Sequence, residues 1–165
     1  MILRISMVMG LVSAAVLSGC ATTAGSTAGG APAPVAAQAA VLNALFASNA
    51  SGLQDGSPTY CVRAGGEEAG GEMTRAVVAA LRDNPKVKPA SACEIADGGD
   101  GVFDRQTRQR AVMFTVETSN CPSATECLIR GGYYEGNLSA QTNVYRARLV
   151  EGRWNVSLAE TGPVS

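Results

Sequence analysis

Two alternating runs near the C-terminal end constrain this chain more than any other feature. Tyr145, Ala147 and Leu149 alternate with Arg146 and Arg148. After Glu151-Gly152, Trp154, Val156 and Leu158 alternate with Arg153, Asn155 and Ser157. Successive side chains of a strand point to opposite faces, so each run has one apolar and one polar face. A glycine-containing two-residue link between such runs marks a β-hairpin. A lone hairpin is marginal in water, so further strands and a covering layer are required.

Both are found upstream. Val112, Phe114 and Val116 alternate with Met113, Thr115 and Glu117, and a second run extends from Leu128 to Tyr134. Tyr133 and Tyr134 then fall on opposite faces, one toward the core and the other toward solvent or a partner. The N-terminal half has helical spacing instead. Pro34 suits a first turn, and Val35 to Ser48 place Val41, Leu42, Leu45 and Phe46 on one face. Glu72 to Asp83 form a second helix with Met73, Ala76, Val77, Ala80 and Leu81 inward, ended by Asn84-Pro85. Asn49 to Pro58 and Gly65 to Gly71 are loops, with a short extended piece at Tyr60-Cys61-Val62. The expected class is α+β, two N-terminal helices on a C-terminal antiparallel meander of about four strands, disulfide-stabilised.

The chain begins with a cationic Met1–Arg4 segment, an uncharged run from Ile5 to Leu17, and small residues. That layout is a secretory signal, and its apolar run is shorter than the roughly twenty residues a membrane span needs. Leu17-Ser18-Gly19-Cys20 resembles the lipobox of bacterial lipoproteins. The resemblance implies a diacylglycerol thioether on Cys20, cleavage before it, and acylation of the new amine by a fatty acid such as palmitate. Ala21 and Thr22 lack the aspartate that favours inner-membrane retention in such families, so the resemblance places the protein on the periplasmic face of the outer membrane, with the inner membrane as alternative. The domain organisation is then 1–19 signal peptide, 20–34 disordered tether and 35–165 a single α+β domain. The tether, composed of Ala, Thr, Gly, Ser and Pro, cannot offset the entropy of ordering, and has a mean reach of about 20 Å.

Besides Cys20, the four cysteines Cys61, Cys93, Cys121 and Cys127 form an even set, which in an oxidising compartment reads as two disulfides. Of the three connectivities, the short spacing favours Cys121 with Cys127, closing a tight loop between two strands, and Cys61 with Cys93 follows. Zinc sites want closer cysteines and often histidine, and the chain has no histidine. Cofactors: none are expected, and no metal.

Removing residues 1–19 leaves 12 basic and 14 acidic side chains. Such a balance supplies no field for nucleic acid. Asp97 to Asp104 resembles a cation loop in composition but fails the ligand spacing, and reads as a polar turn with solvated carboxylates. Glu67, Glu68 and Glu72 lack an enclosing cleft. Lys86 and Lys88 flank a proline-bounded turn without a serine partner, and Gly-x-Ser-x-Gly is missing. No catalytic constellation assembles, so the chain is expected to be no enzyme. Trp154 reads as a core plug, and Arg146, Arg148 and Arg153 as a solvated outer face.

The ending from Val144 through Val156 resembles the terminal hairpin of cystatin-like and NTF2-like small bacterial lipoproteins. These observations together lead to a membrane-anchored periplasmic lipoprotein with a non-catalytic binding or envelope-maintenance role. Its partners are the lipid bilayer, through acylated Cys20, and an envelope protein or small ligand. The alternatives are a small apolar-ligand carrier with a pocket between sheet and helices, and a carboxylate-dependent cell-envelope hydrolase.

Overall fold

The computed structural model describes residues 31–49, 59–66 and 70–164. Cys20, the signal peptide and nearly all of the tether lie outside the described residues, as do Glu67 and Glu68. The described residues form an α+β fold, held by one eight-stranded sheet and two helices.

Helix α1 (Ala33–Ser48) starts with Pro34 in its first turn. It buries Val35, Ala37, Ala39, Val41, Leu42, Leu45 and Phe46, more than the single stripe that its large residues suggest. The reason is its position, since it touches the sheet along one side and the second helix along another. Strand β1 (Thr59–Ala64) leads to α2 (Gly70–Ala80) and then to β2 (Val87–Pro89), which lies parallel to β1. A helix between parallel neighbours is the connection such strands require. Three-residue strands β3 (Cys93–Ile95) and β4 (Val102–Asp104) pair antiparallel with each other. The four long strands are β5 (Arg110–Ser123), β6 (Glu126–Gly136), β7 (Ser139–Val150) and β8 (Arg153–Glu160). The sheet order is β2-β1-β5-β6-β7-β8, with β4 also pairing to β5.

The expectation of two leading helices on about four strands is corrected on two counts. Among the described residues the strands number eight, and α2 is inserted after β1 rather than preceding the sheet. Consecutive β5 to β8 do run antiparallel, but β1 joins β5 in parallel, Thr59 opposite Ala111 through Ala64 opposite Val116. The β7–β8 link has positive φ at both Glu151 (50°) and Gly152 (78°), the twist-compatible two-residue hairpin turn.

One sheet face holds the main core. Val62, Val112, Phe114, Val116, Ile129 and Ala147 meet Val41, Leu42 and Leu45 of α1 and Val77 and Leu81 of α2. Phe46, Tyr60 and Phe114 form an aromatic cluster with centroids 4.8 to 5.4 Å apart. Gly131 lets α1 approach closely, since a Cβ there would lie 3.1 Å from Val41 and 3.3 Å from Leu45. Tyr133, Trp154 and Val156 pack against this core.

The opposite face carries a second, smaller core of Cys61, Cys93, Val102, Ala111 and Met113, with Tyr134 against it. An arm made of β3, β4 and the turn Ala90–Ala92 covers the face there, and the Cys61–Cys93 disulfide bolts it to β1. Tyr134 reaches across to donate a 2.7 Å hydrogen bond to the Gly99 carbonyl, so it serves the arm rather than solvent. The second disulfide, Cys121–Cys127, closes the β5–β6 hairpin.

Candidate functional site

The arm covers only part of the second sheet face, and a cleft opens at its edge. The larger lobe, about 870 Å³, lies among Arg63 of β1, Met113 of β5, the first two turns of α2 (Gly71, Thr74, Arg75) and the arm (Ser91, Cys93, Glu94, Ile95, Arg105). A smaller lobe of about 350 Å³ continues over the bare sheet, lined by Arg63, Thr115, Glu117, Arg130 and Thr142. Arg63 and Gly66 border both lobes.

Sheet register explains why these side chains share one face. Arg63 stands opposite Thr115, Thr115 opposite Gly132, and Gly132 opposite Thr142, while Glu117 stands opposite Arg130. Arg63 is the exposed residue of an otherwise buried strand, because its alternate neighbours Val62 and Ala64 enter the main core. Arg63 and Arg130 are two strands apart and two residues out of step, about 12 Å between Cα atoms.

The arginines of the cleft differ in how they are engaged. Arg105 donates to the Cys93 carbonyl at 2.8 Å and pairs with Glu94 at 3.3 Å, and Glu94 also pairs with Arg108. Those contacts hold the arm together. Among the described residues, Arg63, Arg75 and Arg130 make no side-chain hydrogen bond or ion pair and remain exposed. The Glu117 carboxylate lies over Gly66, 3.0 Å from where a Cβ would stand, which puts it at the junction of the lobes.

The residues singled out from sequence are distributed differently. Asp104, expected as a solvated carboxylate in a polar turn, is fully buried. It accepts hydrogen bonds from Lys88 Nζ (2.6 Å), Thr59 Oγ1 (2.8 Å) and the backbone N–H groups of Gln106 and Thr107. Lys88, and after it Thr59 and the Thr107 amide, hold its carboxyl well below the usual carboxylate range against the opposing effect of burial. The expectation failed because turn-like composition conceals a β4 that the arm presses onto the sheet. Lys88 is correspondingly a strand residue with a fixed partner. Asp97 and Asp100 stay exposed, with Asp100 accepting from Asn137 at 2.7 Å. Glu72 sits in the first turn of α2. Arg146 and Arg148 both pair with Glu126 on the sheet face away from the helices, at 3.3 and 3.2 Å.

Sequence reading did not single out Arg63, Arg75, Arg105 or Arg130. The one signal was a lone cation inside the apolar run Thr59–Ala64. The interface between sheet and helices, where an apolar pocket was expected, is occupied by the aromatic cluster and its neighbours. Among the described residues no group of three or more His, Cys, Asp or Glu could hold a metal ion. None of their helices is long and apolar enough to cross a membrane.

No family model matches the chain, and no curated protein or solved structure matches it.

Proposed function

We propose that the protein is a lipid-anchored envelope module that acts by binding rather than catalysis, with the cleft beside the arm as its binding site. The observation that carries this reading is the cleft itself, a two-lobed space on the sheet face that the helices leave bare, bordered by uncommitted arginines. The anchor is supplied by Leu17-Ser18-Gly19-Cys20, and the tether holds the domain at the periplasmic face of the outer membrane.

The chemistry of the cleft supports binding. Ser91 has no histidine anywhere in the chain to activate it. Glu94 is neutralised by two arginines, and Glu117 borders the other lobe, so the described lining offers no facing pair of free carboxylates. An apolar-ligand carrier draws less support, because the sheet–helix interface is filled and the open space is cationic.

Two measurements test the proposal. Labelled palmitate should enter the wild-type chain and not Cys20→Ala, and label in the variant refutes the anchor. A photocrosslinking residue placed at Thr142, on the cleft rim, should form an adduct in intact envelopes, while the same probe at Arg82, outside the cleft, should not. Equal adducts, or none at either position, refute the cleft as the binding site.

A further inference from the structure

We infer that the cleft takes a small ligand bearing two oxyanion groups, one seated by Arg63 and Arg75 and the other by Arg130. The inference rests on the binding reading of the cleft and adds the class of ligand.

Charge comes first. The whole chain has a net charge of −1, yet among the described residues four arginines and two glutamates line the lobes. One of those glutamates, Glu94, is already spent on Arg105 and Arg108. The cleft is thus a local cationic focus on a nearly neutral molecule, and low-dielectric walls concentrate such a field.

The available donors come second. A guanidinium offers five N–H donors in a rigid fork that matches carboxylate and phosphate oxygens. Arg63, Arg75 and Arg130 have none of these committed among the described residues. Arg75 Nη1 lies over Gly71, 3.1 Å from where a Cβ would be, so its charge sits at the first turn of the eleven-residue helix α2. The positive end of the helix dipole reinforces the same wall.

Shape decides the number of anionic groups. Glu117 stands at the junction, opposite Arg130 in register and over Gly66, and repels an anion placed midway. The favourable positions lie on either side of it, one in each lobe. A neutral linker then spans the junction, and the separation of Arg63 and Arg130 calls for anionic groups roughly 6–10 Å apart.

The test uses the purified full chain, titrated calorimetrically with fructose 1,6-bisphosphate, pimelate and orthophosphate, and by flotation with phosphatidylglycerol vesicles. The bisphosphate should bind at least tenfold more tightly than orthophosphate, with pimelate between them. Arg63→Gln should weaken both phosphate probes at least tenfold, with partial recovery in Arg63→Lys. Arg130→Gln should abolish the advantage of the bisphosphate and leave orthophosphate unchanged. Arg82→Gln, outside the cleft, should change nothing. Equal affinity for one and two anionic groups, equal loss in Arg82→Gln, no binding at millimolar concentration, or binding to vesicles alone would each overturn the inference. Thermal melts of every variant confirm that these exposed substitutions leave the fold intact. A Thr142 adduct in envelopes without bisphosphate binding would discard the ligand class and leave the binding reading standing.

Discussion

Lys88 Nζ stands 2.6 Å from Oδ2 of Asp104, and the Lys88 side chain is 32 % exposed while that of Asp104 is wholly buried. The pair ties β2 to β4, and Thr59 brings β1 into the same knot. Breaking a buried pair from one side leaves an uncompensated charge, which is more damaging than losing both partners.

That asymmetry gives a pH signature. The folded carboxyl of Asp104 is depressed from its ordinary value of 3.8, so its contribution is fully present above that value and is lost as pH falls below it. Chemical denaturation of the wild type between pH 6 and pH 2 should show stability declining below about pH 4. In Asp104→Asn the neutral-pH stability should drop by about 2 kcal/mol and this part of the acid decline should flatten. An unchanged slope would mean that other carboxylates govern acid unfolding.

The Cys61–Cys93 disulfide holds the arm on the sheet, 32 residues apart in sequence. Chain-entropy reasoning assigns such a loop about 3.7 kcal/mol, against about 2.4 kcal/mol for the short Cys121–Cys127 loop. Replacing Cys61 and Cys93 together by alanine should therefore destabilise more than replacing Cys121 and Cys127, as read from urea midpoints. It should also increase amide exchange first in β3 and β4.

Gly132 faces the second sheet surface where β6 and β7 close tightly. A Cβ there would run into the Gln141 carbonyl oxygen and lie 2.8 Å from Thr142 Oγ1. Because backbone must shift, Gly132→Ala should destabilise by about 2–3 kcal/mol. A change below 0.5 kcal/mol on the order used for surface substitutions would show that the strands can part without penalty.

Tyr134→Phe removes only the hydroxyl that bonds Gly99. A loss of about 1 kcal/mol is expected, with faster exchange in the turn that carries Gly99 and little change in the main core. Glu151 presents the opposite opportunity. Its φ of 50° is left-handed and unfavourable for a residue other than Gly or Asn. Glu151→Asn should raise stability by about 0.5–1 kcal/mol without altering the sheet.

What the sequence made legible was local and periodic. The β7–β8 hairpin could be read because one face is apolar, the other polar, and the turn residues fit. β1 was legible only as a short extended piece at Tyr60-Cys61-Val62, since five of its six residues are buried and a strand enclosed on both faces shows no alternation. Its partners are also distant in sequence, with Cys61 lying beside Met113. Strands of three residues, as in β2, β3 and β4, are too short to establish any period. The cleft shared this obscurity. Arg63 and Arg130 share one surface only through the parallel β1–β5 and antiparallel β5–β6 pairings, a relation that spacing along the chain does not encode.

Helix α1, the first described element, rests on β5, β6, β7 and β8, the last strands to follow it. A polypeptide delivered N-terminus first through a translocation pore would consequently hold this helix without its seat until the final hairpin had emerged. Closure of the domain is a late event in such a passage, and any holding factor would have to shield Leu42, Leu45 and Phe46 meanwhile.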